Sequence, residues 1–157
     1  MPGWLLAIDF GTSSTAAVVA ADGKTEVVEI GGAARIPSVV AALDDDTLVA
    51  GDAAVRQLTL APERTERAPK RRLGDRAVLL GERAVAPTAL VAAVLRLVAD
   101  EASRRRGGTA PDAGRPLDPA DAAAGARRWR ALAGDPRSSP KVREVADIAC
   151  RGYENLL

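Results

Sequence analysis

The first hundred residues alternate between short apolar runs and turn-forming residues, a pattern typical of strands. Small and β-branched residues fill the runs, and Gly, Pro and Asp interrupt them. Two of the runs are separated by Asp22-Gly23 and two by Gly81, which are hairpin signals. The pattern predicts strands over residues 4–10, 14–21, 24–30, 36–43, 47–50, 77–80 and 82–85.

Helical spacing replaces this alternation in two segments. Residues 51–60 fit a short helix, and the polar segment 62–70 is predicted to be mostly loop. In residues 88–106 the apolar side chains recur with the helical period, as in Leu90, Val94 and Val98. Pro87 or Thr88 begins this long helix and the run Arg-Arg-Arg-Gly-Gly ends it.

The composition changes after residue 108. Residues 109–117 are rich in Pro, Gly and Asp and predict a linker between a lobe at 1–108 and a tail at 118–157. The dipeptides Asp118-Pro119 and Ser139-Pro140 are typical helix starts, so the tail is predicted to be a helical hairpin. Trp129 lies between arginines there, either packed against the lobe or anchoring an interaction surface.

Composition narrows the classes of function. The chain has 157 residues, of which 47% are apolar but only 3% aromatic, so its core must consist of Ala, Val and Leu. A net charge of +1 argues against nucleic-acid binding. The lack of histidine excludes a Ser-His-Asp triad and histidine metal ligands. Cys150 is the single cysteine. With no signal or membrane-spanning segment apparent, a cytoplasmic protein that contacts no membrane is expected.

Candidate chemistry lies in the stretch IDFGTSST, residues 8–15, where a predicted strand meets a turn and a second strand. Gly11 allows the backbone to approach a ligand, and the amides and hydroxyls of Thr12, Ser13 and Ser14 can surround a phosphate. Asp9 is suited to orient a hydrated Mg²⁺. The stretch also fits a plain hairpin turn in which Asp9 is a cap. It is neither a P-loop nor a dinucleotide-binding fingerprint.

The stretch AIDFGTSSTAAVV resembles the first phosphate loop of the actin-like ATPase superfamily, and in particular of the heat-shock protein 70 (DnaK-type) chaperones. The resemblance continues in order through RIPSVVAAL, TLVAGDAAVRQLTLAPERT, APKRRLGD and LLGERAVAPTALVAAVLRLVADEA, over residues 4–106. It implies an α/β (α+β) fold, a partial actin-like ATPase (ribonuclease H-like) lobe with a mixed sheet. The predicted helical hairpin would follow this N-terminal part of the ATPase domain.

The resemblance also implies roles for individual residues. Gly11, Thr12, Ser13 and Ser14 would bind the β- and γ-phosphates of ATP or ADP, and the two catalytic residues would be Asp9 and Lys70. Asp9 would hold Mg²⁺ through water, and Lys70 would stabilise charge on the γ-phosphoryl group. Arg71 and Arg72 are alternatives to Lys70 at this position, and the residues alone fit a solvated basic loop.

The sequence departs from the family pattern after residue 106. We find no second glycine-rich phosphate loop, no adenosine-binding Gly-Gly segment and no substrate-binding domain in it. We therefore expect an ATP-binding, chaperone-related stress-response protein that binds nucleotide weakly and is not a competent ATPase alone. It would be a truncated or rearranged relative, or a fragment whose cleft a protein partner completes. The alternatives are an interaction module that no longer uses nucleotide, or another superfamily member such as a sugar kinase or a cell-shape filament protein.

Overall fold

The computed structural model describes residues 4–21 and 24–106, together with the single positions 127, 130, 131, 134, 136, 140 and 143. These residues form two compact units. Unit 1 contains the described residues up to Asp9, those of Ala16–Ala34 and those from Ala99 onward, and unit 2 contains Phe10–Thr15 and Arg35–Val98. The predicted turn at residues 22–23, the linker at 109–117 and nearly all of the predicted tail, with Trp129 and Cys150, lie outside the described residues.

Unit 1 is built on the predicted N-terminal strands. They are β1 (Leu5–Phe10), β2 (Ser14–Ala21) and β3 (Lys24–Val27), in the order β1-β2-β3. Strand β3 is antiparallel to β2, with Val27 opposite Val18. It ends three residues before the predicted end. Beyond it, Ile30 bridges to Ala33 across Gly31 and Gly32, whose φ values are 61° and 81°.

Unit 2 contains short strands and most of the helical residues that the structure describes. Its elements are β4 (Arg35–Pro37), β5 (Val40–Ala42), β6 (Leu48–Ala50), α1 (Asp52–Leu60), β7 (Thr65–Glu66), β8 (Val78–Leu80), β9 (Arg83–Val85) and α2 (Pro87–Arg106), of which the residues after Val98 belong to unit 1. Strand β5 pairs antiparallel with β6 and β7. The hairpin β8–β9 turns at Gly81 as predicted.

Two predictions for this unit were wrong in detail. The predicted strand 36–43 is two strands, because the chain leaves the ladder at Ser38, whose N–H donates to the Ser13 carbonyl at 3.0 Å. The predicted loop 62–70 contains strand β7 and two 3₁₀ turns, Pro62–Arg64 and Pro69–Arg72. Strand β7 exists because Thr65 and Glu66 pair with buried β5, a contact that has no local sequence signal.

The core is aliphatic, as the low aromatic content predicts. In unit 2, Leu90 and Val94 of α2 pack with Val40 and Leu80, all at most 2% exposed. Phe10 is half-buried against this cluster. These residues form a mixed α/β unit whose core lies beneath the segment that carries the candidate site. No helix among the described residues is both long and apolar enough to cross a lipid bilayer.

Candidate functional site

The loop between β1 and β2 is a tight turn that admits only glycine at its start. The Gly11 N–H donates to the Ser14 carbonyl oxygen at 3.0 Å and closes the turn. A Cβ atom at Gly11 would lie 2.4 Å from that same oxygen, which is a steric clash with backbone. Thr12 and Ser14 are half-buried and Ser13 is exposed. The turn therefore presents short hydroxyl side chains and backbone amides on a fixed frame, a suitable arrangement for an anion.

The buried hydroxyls of Ser38 and Thr15 stabilise this turn from the protein interior. The Ser38 Oγ donates to the Gly11 carbonyl at 2.9 Å and lies 2.8 Å from the Thr15 Oγ1. Both side chains are fully buried. Because a serine hydroxyl has one proton, and that proton goes to Gly11, the Thr15 hydroxyl must be the donor in the second bond. The result is a chain of hydrogen bonds from Thr15 through Ser38 to Gly11.

Ser38 was missed as a site residue by the sequence analysis. It lies 27 residues from Gly11, and a serine after Pro37 at a strand end is an ordinary turn signal. The one available signal was a polar residue in the middle of the apolar run IPSVVAAL. A buried hydroxyl in such a run requires a partner, but sequence alone does not say which.

Lys70 lies beside the residue that precedes the turn. Its Nζ donates to the Phe10 carbonyl at 2.9 Å and lies 5.9 Å from the centre of the Phe10 ring, within reach of a cation–π contact. Lys70 is half-buried, whereas Arg71 is exposed. Arg72 is engaged by Glu66, with 2.8 Å between Nε and Oε2. Of the three basic residues, Lys70 is therefore the one placed next to the candidate phosphate loop.

Asp9 belongs to unit 1, where it is the second-last residue of β1 and only 9% exposed. Among the residues that the structure describes, no group of three or more cysteine, aspartate or glutamate side chains is placed to hold a metal directly. A single carboxylate suits Mg²⁺, which commonly keeps several of its waters in proteins. The residues present thus fit an ion held through water, and the chain order places Asp9 two residues before Gly11.

Comparison with known proteins covers this whole region. A family model described as "Hsp70 protein" matches residues 5–93, which include every candidate site residue. The chaperone protein DnaK of Thermotoga maritima is 33% identical over 108 residues, 67% of this chain and 18% of that protein. DnaK of Picrophilus torridus is 43% identical over 76 residues, 45% of this chain and 12% of that protein. The chain thus spans less than a fifth of the length of these relatives.

Proposed function

The chain belongs to the Hsp70 protein family, and from that premise we propose that its lobe binds ATP or ADP with Mg²⁺ at the Gly11–Ser14 turn. The observation that supports the proposal most is the position of Lys70, whose ammonium lies at the Phe10 carbonyl, one residue before the turn. This contact brings a half-buried cation to the turn from 60 residues along the chain. Next to an amide-lined turn, its charge completes a site for phosphate.

The proposed roles follow from the donor and acceptor chemistry of each group. The turn supplies amides and hydroxyls to phosphate oxygens, and the Ser38 hydrogen bond keeps its backbone in place. The Lys70 ammonium has three protons, so it can keep the Phe10 carbonyl and still donate to a phosphate. Asp9, an acceptor when ionised, would orient waters of Mg²⁺. Bound Mg²⁺ would supply charge neutralisation between phosphates.

We further propose that these 157 residues alone do not turn over ATP. Phosphoryl transfer depends on positioning and on charge stabilisation around the transferred group. One phosphate loop and one lysine supply only part of that environment, so affinity should be roughly millimolar or weaker. A second lobe, from a protein partner, would complete the cleft. The chaperone role, the stress response and the cytoplasmic location are also proposals for this chain.

Nucleotide binding should appear as a gain in thermal stability. With Mg-ATP or Mg-ADP at ten times the Kd, the gain in unfolding free energy should be about 1.4 kcal/mol. The melting temperature is measured against nucleotide concentration, with Mg-AMP as the control because it lacks the β- and γ-phosphates. If Mg-ATP at about 10 mM, ten times a millimolar Kd, produces no shift, the chain is better described as an interaction module that retains the lobe fold. Steady-state phosphate release well above background would contradict the proposed lack of turnover.

The Lys70→Ala variant should weaken Mg-ATP binding about tenfold, the effect of losing one charge-assisted hydrogen bond. Arg71→Ala is the matched control, since it removes the same charge from the exposed neighbouring residue. It should leave the affinity nearly unchanged. Asp9→Asn should instead reduce the dependence of binding on Mg²⁺. Equal losses in the two cation variants would show that only the general charge of this segment matters.

A further inference from the structure

We propose that Glu66 is a positioning residue for Lys70. Its carboxylate binds both ends of the turn that carries Lys70, an arrangement that we call the brace. The role of Lys70 in binding phosphate rests on the proposed nucleotide function. The brace itself is a property of the free chain and can be tested without nucleotide.

The two oxygens of the Glu66 carboxylate hold the two sides of this turn. Oε1 accepts the Ala68 N–H at 2.8 Å, and Oε2 accepts the Arg72 Nε–H at 2.8 Å. Lys70 lies between Ala68 and Arg72, in the 3₁₀ turn Pro69–Arg72. Loss of this one carboxylate would therefore release both the Ala68 backbone, before Lys70, and the Arg72 side chain, after it.

Glu66 itself is held in place by its backbone pairing and by burial. The Glu66 backbone pairs with Val40, which is fully buried, and the Glu66 side chain is only 11% exposed. Pro69 is also fully buried, and its ring restricts the first position of the turn to one narrow range of φ. The turn therefore has few alternative conformations while the carboxylate holds it.

A carboxylate is suited to this task because it accepts two charge-directed hydrogen bonds at once. The hydrogen bond that Arg72 donates to Glu66, together with the charge of that carboxylate, raises the pKa of the Arg72 guanidinium. Arg72 has a second, longer contact to Asp75 at 3.5 Å. Arg72 is thus the side chain in this turn that binds the Glu66 carboxylate, and the Lys70 ammonium donates to the Phe10 carbonyl.

The experiment measures how often Lys70 leaves the Phe10 carbonyl. The lysines of the chain are Lys24, Lys70 and Lys141, so trace acylation with acetic anhydride can be read for each by peptide mass spectrometry. Lys24 is exposed and serves as the internal reference. In the wild-type chain without nucleotide, Lys70 should be labelled more slowly than Lys24.

Glu66→Ala should raise the labelling of Lys70 relative to Lys24 by up to about tenfold, the value reached when the released turn costs Lys70 its charge-assisted hydrogen bond to the Phe10 carbonyl. Glu66→Gln, whose amide oxygen can still accept one bond, should give an intermediate increase. Arg72→Met should also raise it. Glu63→Gln, the same change at an exposed glutamate in the preceding turn, should have no effect.

Unchanged Lys70 labelling in Glu66→Gln and Arg72→Met would overturn the proposal, and these two variants decide the matter if Glu66→Ala does not fold. A purely structural role for Glu66 would lower the melting temperature without changing the labelling ratio well below it. Mg-ATP is then added to the wild-type chain. If Lys70 responds to the Glu66 variants but Mg-ATP does not protect it, the brace stands and the nucleotide function fails.

Discussion

Replacing Gly11 by alanine should open the turn between β1 and β2 and remove nucleotide binding. The new Cβ would lie 2.4 Å from the Ser14 carbonyl oxygen, which is backbone and cannot rotate away. The Gly11–Ser14 hydrogen bond would have to break, and the backbone amides of Thr12 and Ser13 would no longer be held in a fixed orientation. A strained or displaced backbone of this kind costs about 1–3 kcal/mol. Mg-ATP should then give no measurable gain in melting temperature.

Gly74→Ala is the matched control for this variant. Gly74 lies in an exposed turn, and a Cβ atom there meets nothing within 4 Å. Its unfolding free energy should stay within about 0.5 kcal/mol of wild type, because surface substitutions away from special features have small effects. If urea unfolding shows Gly11→Ala to be as stable as Gly74→Ala, and Mg-ATP still stabilises it, the tight turn is not what holds phosphate.

The same turn shows what sequence could predict and why. Strands β1 and β2 and the glycine between them are specified locally, by apolar runs and by a residue that a close backbone approach demands. The hairpin β8–β9 and the helix α2 were predicted for the same reason. In each case the pattern that specifies the element lies within the element itself. The Hsp70 resemblance added the order of the segments, and the family match over residues 5–93 confirms it.

The contacts that hold the site could not be predicted in this way. Ser38 reaches Gly11 across 27 residues, and Lys70 reaches Phe10 across 60. Contacts between residues so far apart in the chain cannot be predicted from local sequence propensities. Likewise, the run Pro-Lys-Arg-Arg does not show which of its basic side chains points toward the protein interior. Only the resemblance favoured Lys70 over its neighbours. The position of Glu66 depends on β7, a strand of two residues that pairing with β5 creates.

The Ser38→Ala variant tests the long-range contact between Ser38 and Gly11. It removes the donor to the Gly11 carbonyl and leaves the fully buried Thr15 hydroxyl without its acceptor. Leaving buried polar groups unpaired costs about 1–3 kcal/mol each, whereas a hydrogen bond exchanged for water costs less. The urea midpoint should fall with an unchanged slope, and Mg-ATP should stabilise the variant less than it stabilises wild type.

A double-mutant cycle of Thr15→Val and Ser38→Ala tests whether the hydroxyls of Thr15 and Ser38 form one connected chain of hydrogen bonds to Gly11. Thr15→Val alone should cost less than Ser38→Ala, because Ser38 still donates to Gly11 in that variant. The double variant should be more stable than the sum of the single losses predicts, with a coupling of about 0.5–3 kcal/mol. Ser103→Ala is the control, because its hydroxyl bonds to a carbonyl of its own helix, Ala99, and should matter little. Strict additivity of Thr15→Val and Ser38→Ala would show that the two hydroxyls act separately, and the loop would then be held by Ser38 alone.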